Sequence, residues 1–195
     1  MHMTAHPVPA LMKAPTRLFR SRSCLILAML ATLAVEGRAD PTAVVDNDGH
    51  FAANFPAAVK RANRIVDRDD IGQIATFQVY ASLGAVAFMV SYSDYPEGYV
   101  ASTGAAAVFK GAAKEAADSA KGTIRSQDNC KLGNVGGLEV VIDGADRGSV
   151  QRIRLYAVGD RLFQVMYAGP PDSEAGKAAV DFLDSFRLLP VPESK

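Results

Sequence analysis

The sequence predicts a layered α+β fold, an antiparallel sheet with helices laid against it. Three observations carry that prediction. Apolar and β-branched runs are broken by tight glycine turns, as hairpins are. Two segments switch to helical period, "STGAAAVFKGAAKEAADSAKG" and "DSEAGKAAVDFLDSF". Their order along the chain is strand-rich, helix, strand-rich, helix, so each helix needs a sheet face to cover.

Residues 1–39 stand apart from this pattern. Lys13, Arg17, Arg20 and Arg22 precede an apolar run from Cys24 to Val35, and Gly37 and Ala39 suit a cut before Asp40. That is the layout of a secretory signal peptide, with an apolar run too short for an ordinary membrane span. It implies a periplasmic or secreted protein with no stable span once the signal is removed. An envelope protein held by an uncleaved N-terminal helix is the alternative. Cys24 precedes the apolar run, whereas a lipid-attachment cysteine follows one. Beyond residue 39 only Cys130 remains, so no internal disulfide can form.

Residues 40–49 read as a polar lead-in, 50–190 as one domain and 191–195 as a tail. Removing residues 1–39 takes five basic residues and Glu36, which leaves 16 Lys+Arg against 20 Asp+Glu, a net of −4. A mildly acidic chain lacks the basic face that nucleic acids and anionic membranes require.

Each element has its own signal. "HFAANFP" is a first strand stopped by Pro56, and "AAVKRANRIVDRDDIGQ" reads as a loop or connecting strand. "IATFQVYASLGAVAFMVSYSDYP" gives two strands around Ser82-Leu83-Gly84. In the first helix Phe109, Ala113, Ala116 and Ala120 form one stripe, with Ser102 or Thr103 as cap and Gly122 as stop. A strand near Thr123–Gln127, a glycine turn at Gly133–Gly137 and the strand "LEVVID" follow. After a turn at "DGADRG" comes a hairpin, "VQRIRLYAVGDRLFQVMYAGP", folded about Gly159-Asp160. The last helix has Asp172 or Ser173 as cap and Ala175, Ala179, Phe182 and Phe186 as its stripe.

Chemistry-bearing patterns are sparse. His50 is the one histidine outside the signal, so a hydrolytic or metal-assisted enzyme would have to use His50 with scattered carboxylates. "VDNDG" and "DGAD" place Asp46 near Asp48 and Asp143 near Asp146, but neither continues into a full calcium loop, and both read as turns. "GNVGG" lacks the Lys-Ser/Thr of a phosphate loop. No catalytic residue, metal site or cofactor is expected. The richest polar set lies on the hairpin, where Ile153, Leu155 and Ala157 share one face and Arg152, Arg154 and Tyr156 the other. Arg152, Arg154, Tyr156 and Gln164 form the candidate surface for a ligand or an envelope partner. The competing reading is a solvated sheet face with arginine stems lying over apolar surface.

The order of "FAANFP", "VSYSDYP", "GGLEVVID", "RLYAVGDRLFQVMYAGP" and "AAVDFLDSFRLLP" resembles bacterial exported proteins of the PsbP/Mog1-like fold, over about His50 to Pro190. The resemblance implies a single α/β/α sandwich, with a central antiparallel sheet flanked by helices. It also implies a noncatalytic accessory or binding module, with a protein or small ligand as partner. The plant photosystem relatives support an oxygen-evolving complex and calcium and chloride retention. No metal-binding motif of theirs is matched here, so that role does not carry over.

Overall fold

The computed structural model describes residues 41–68, 71–145 and 148–190. The expected signal peptide, its Ala39–Asp40 cut, Cys24, Asp146 and the 191–195 tail lie outside these residues.

The elements run β1 (Thr42–Asp46), β2 (Phe51–Phe55), β3 (Lys60–Arg68), β4 (Gly72–Leu83), β5 (Val86–Asp94), α1 (Tyr99–Thr103) and α2 (Ala105–Ser119). They continue with β6 (Thr123–Leu132), β7 (Val135–Asp143), β8 (Val150–Val158), β9 (Arg161–Gly169), α3 (Lys177–Ser185) and β10 (Arg187–Leu188). Seven strands form one antiparallel sheet in the order β3-β4-β5-β9-β8-β7-β6, and β1-β2-β10 form a second sheet.

This corrects the expected sandwich of a central sheet between helical layers. The described chain is mostly β-sheet, in two antiparallel sheets. The polar lead-in supplies β1, whose Val44 and Asp46 point inward, and it pairs along the whole of β2. The charged stretch after Pro56 is the full nine-residue strand β3. Arg187 and Leu188 add a third strand beside β2, and Leu189 donates its N–H to the His50 carbonyl. One face of the large sheet is therefore covered by the small sheet together with α3. The other lies under α1 and α2.

The period-two pattern explains which side chains go where. Val79, Phe88, Val90, Tyr156, Phe163, Val165 and Tyr167 meet Phe51, Phe55, Phe182 and Phe186 in one core. Val140, Ile142, Ile153, Leu155 and Leu162 meet Val108, Phe109, Ala112 and Ala113 in the other. Fully burying each large aromatic or aliphatic side chain contributes roughly 1.5–3 kcal/mol. Small alanines let α2 lie close on the sheet.

Three hairpins turn on two residues, Gly84-Ala85, Gly133-Asn134 and Gly159-Asp160. In each the glycine has positive φ (57°, 58° and 57°) and the second residue does not. That is the requirement of a II′ turn, whose twist matches the flanking strands. The caps differ from expectation. Ser102 and Thr103 end α1, Gly104 stands before α2, and Gly176 before α3. Ser173 is occupied elsewhere, donating to the Pro170 carbonyl and bonded to the Tyr167 hydroxyl. Ala175 is exposed, whereas Ala179, Phe182 and Phe186 are buried.

Candidate binding cleft

The hairpin set divides. Arg152, Arg154 and Tyr156 share a face of β8, as their alternation requires. Gln164 pairs across from Leu155 and Ser91, on the opposite face, and so cannot join them. The surface of four residues is corrected to three, and those three are not solvated. Tyr156 is 2% exposed. The Arg152 and Arg154 side chains are each 18% exposed and converge on Glu139, at 2.8 and 2.7 Å. Arg154 also donates to Asp184 at 2.7 Å, and Arg152 to the Glu174 carbonyl at 3.1 Å. Arg125 continues the chain of ion pairs to Asp143 and Glu174. Burial pushes the Glu139 carboxyl up, but the hydrogen bonds and charges of Arg154 and Arg152 outweigh it and hold the group below the usual range. The arginines pin α3 and the loop before it to β7 and β8. Each spends two of its three nitrogens on these partners.

Cys130, on β6, sits beside the Tyr156 hydroxyl. Burial raises its thiol pKa, partly offset by that hydroxyl and by Arg154. Burial likewise pushes the Tyr156 hydroxyl well above its ordinary value.

A different place holds open polar groups. Between the β1–β2 turn and the β3–β4 pair lies a cleft of about 580 Å³, with Asp46, Asp48, Arg61, Asn63, Phe77 and Tyr92 in its wall and Asp94 and Arg161 at its end. The strand register makes its floor, because Asn63, Phe77, Tyr92 and Phe163 follow one another across β3, β4, β5 and β9. Phe77 and Tyr92 stack at 4.9 Å between centroids. The Arg161 guanidinium lies 4.5 Å from the Tyr92 ring centroid, a cation–π contact. Arg161 is gripped in a fork by Asp94, at 2.5 and 2.9 Å, and donates to the Asp48 carbonyl at 2.8 Å.

Asp46 is buried at the turn. It accepts the Gly49 N–H at 2.7 Å and pairs with Arg61 of β3. The "VDNDG" motif is therefore a turn, held by an aspartate that bonds its own backbone. Gly49 is required there, since a Cβ would lie 2.7 Å from the Tyr92 ring. Burial raises the Tyr92 hydroxyl pKa, as do Asp46, Asp94 and Asp48, against a lowering by Arg161.

His50 adjoins this turn with φ 55°, anchored through its carbonyl to Leu189. Asp143 pairs with Arg125. Among the described residues no group of three His, Cys, Asp or Glu side chains is placed to hold a metal ion, and no helix is long and apolar enough to cross a membrane.

No protein-family model and no curated protein matches this chain. Among solved structures, the solution structure of cyanobacterial PsbP (CyanoP) from Synechocystis matches with a TM-score of 0.54. The identity is 11%, over 82% of this chain and 98% of that one. The fold is PsbP-like. That agrees with the PsbP side of the resemblance seen in the order of the sequence motifs.

Sequence reading missed the cleft because its parts are far apart in the chain. A local signal was present in Asp46 and Gly49, which alternation and turn chemistry single out. Arg61 and Arg161 carry no such mark until the strands are paired.

Proposed function

We propose that this protein is an exported, noncatalytic accessory domain that binds a ligand or partner of the cell envelope through the cleft between the β1–β2 turn and the β3–β4 pair. The observation that carries the reading is the prior fixing of the cleft's groups. Arg161 is held by Asp94, by the Asp48 carbonyl and by the Tyr92 ring, and Asp46 by Gly49 and Arg61. Groups ordered before binding lose little entropy on binding, which favours recognition. The PsbP-like fold supports the accessory role, and the N-terminal pattern of residues 1–39 supports export.

A photo-crosslinking residue placed at Asn63, on the cleft wall, tests the proposal in the native envelope. The same residue at Asn129, exposed on β6, is the control. A discrete adduct at position 63 and none at 129 is the expected result. Equal labelling at both positions, or none at 63, would overturn the cleft as the working surface.

A further inference from the structure

We propose that the cleft binds an organic cation, a guanidinium or primary ammonium group, carried by a small molecule or by a side chain of a basic partner segment. This rests on the reading of the cleft as the binding site and gives that site its ligand chemistry.

The charges of the cleft do not balance. Asp94 is spent on Arg161 and Asp46 on Arg61, while the exposed Asp48 carboxylate makes no ion pair among the described residues. Three aspartates against two arginines leave one negative charge, and it sits at the mouth. Arg161 gives all three of its nitrogens to the protein, and Arg61 gives one to Asp46 while its side chain stays 55% exposed, so the net charge is what favours a cation over an anion. A cation finds a free carboxylate.

Tyr92 points the same way by an independent route. The residue is only 6% exposed, yet its hydroxyl hydrogen-bonds to none of the described residues. A hydroxyl left to water in this way can exchange that water for a donor of a ligand. This one is not sealed in, since the single sealed and unpartnered side-chain atom among the described residues is Glu174 Oε2. The hydroxyl therefore opens on the cleft. The raised Tyr92 pKa keeps the phenol neutral, and a neutral phenol oxygen still accepts a hydrogen bond.

The remaining wall suits the same ligand. Asn63 offers an amide oxygen, and Phe77 offers an aromatic surface for a flat guanidinium or an alkyl-ammonium stem. A guanidinium or ammonium brings several N–H donors and no acceptor, which suits the Asp48 carboxylate, the Tyr92 oxygen and the Asn63 amide oxygen. A metal ion does not suit it, because the carboxylates are not grouped to share one. The net charge of −4 over residues 40–195 also draws cations toward the surface.

The test is titration of the purified chain, followed by NMR, with N-acetyl-arginine amide, its citrulline counterpart and N-acetyl-glutamate amide. The arginine probe should bind and shift Asn63, Phe77 and Tyr92, and the uncharged citrulline probe should not. Asp48→Asn and Tyr92→Phe should each weaken binding about fivefold. Both variants should keep wild-type melting behaviour, because neither group serves the fold. Citrulline binding as tightly as arginine, or glutamate binding more tightly, overturns the cation and leaves the cleft standing. No response to any probe also overturns it, and the Asn63 cross-link then decides separately on the cleft. A short peptide with one central arginine distinguishes the sources. Much tighter binding than the free probe assigns the cation to a partner segment, and equal binding to a small molecule.

Discussion

Replacing Glu139 by glutamine tests whether the arginine cluster is part of the folded core or a solvated surface. The substitution preserves volume and removes one charge from between two guanidiniums. The carboxylate accepts from Arg152 Nη2 at 2.8 Å and from Arg154 Nε at 2.7 Å. Glutamine can accept only one of these bonds, and its amide nitrogen then faces a second donor. A hydrogen bond to a charged group contributes about 1.5–3 kcal/mol, and an exposed ion pair about 0–1 kcal/mol. With all three side chains 18% exposed, water reaches the site but does not fill it. We expect a loss of about 2 kcal/mol near neutral pH, read from urea unfolding.

The pH dependence has a definite sign. The folded Glu139 carboxyl titrates below its ordinary value of 4.5. Its contribution is complete above the unfolded pKa and fades as pH falls through the lowered folded one. Wild type and variant should therefore converge in acid below that ordinary value. A difference under about 0.5 kcal/mol at neutral pH would show a solvated cluster. A difference that persists unchanged in strong acid would refute the ionic account.

Three other outcomes follow from the same geometry. Tyr156→Ala should cost about 3–5 kcal/mol by opening a cavity under Phe163 and Phe186, and Tyr156→Phe far less, both read from thermal melts. Asp160 Oδ2 and Oδ1 accept the N–H groups of Gly98 and Val100, at 2.7 and 2.9 Å, so Asp160→Ala should cost about 1 kcal/mol and increase amide exchange in α1. The Cys130 thiol, raised by burial, should react with iodoacetamide more slowly than a free cysteine at pH 8, and an ordinary rate would contradict its placement.

Much of the architecture could be read in advance because the signals were local. Alternation in "RIRLYAV" puts Ile153 and Leu155 on one face and Tyr156 on the other. That second face reads as surface in the sequence, yet the structure buries Tyr156 in a core. Glycine marks the hairpin turns where the structure has them. What failed depends on distant pairing. The β1 segment "TAVVD" is too short to announce itself, and it becomes a strand only because Phe51–Phe55 lies beside it. β3 is almost wholly exposed on an edge, so no hydrophobic pattern marks it. β1 joins β2 and β10 in a second sheet, β3 extends the large one, and both contribute to the cleft. The arginines of β8 looked free because their partners, the Glu139 and Asp184 carboxylates and the Glu174 carbonyl, come from three other parts of the chain.

The strand order also sets how the chain reaches this state. β3, β4 and β5 are sequential neighbours, as are β6, β7, β8 and β9, so each stack can zip up from its own turns. Only β5 and β9 join the stacks, with Val90 opposite Val165 and Asp94 opposite Arg161, 67 residues apart. Closing that seam carries a loop-entropy cost that local hairpins avoid. The Arg161–Asp94 fork that orders the cleft lies on the same seam. The cleft thus draws its residues from both halves of the sheet, and its fork forms only where those halves meet.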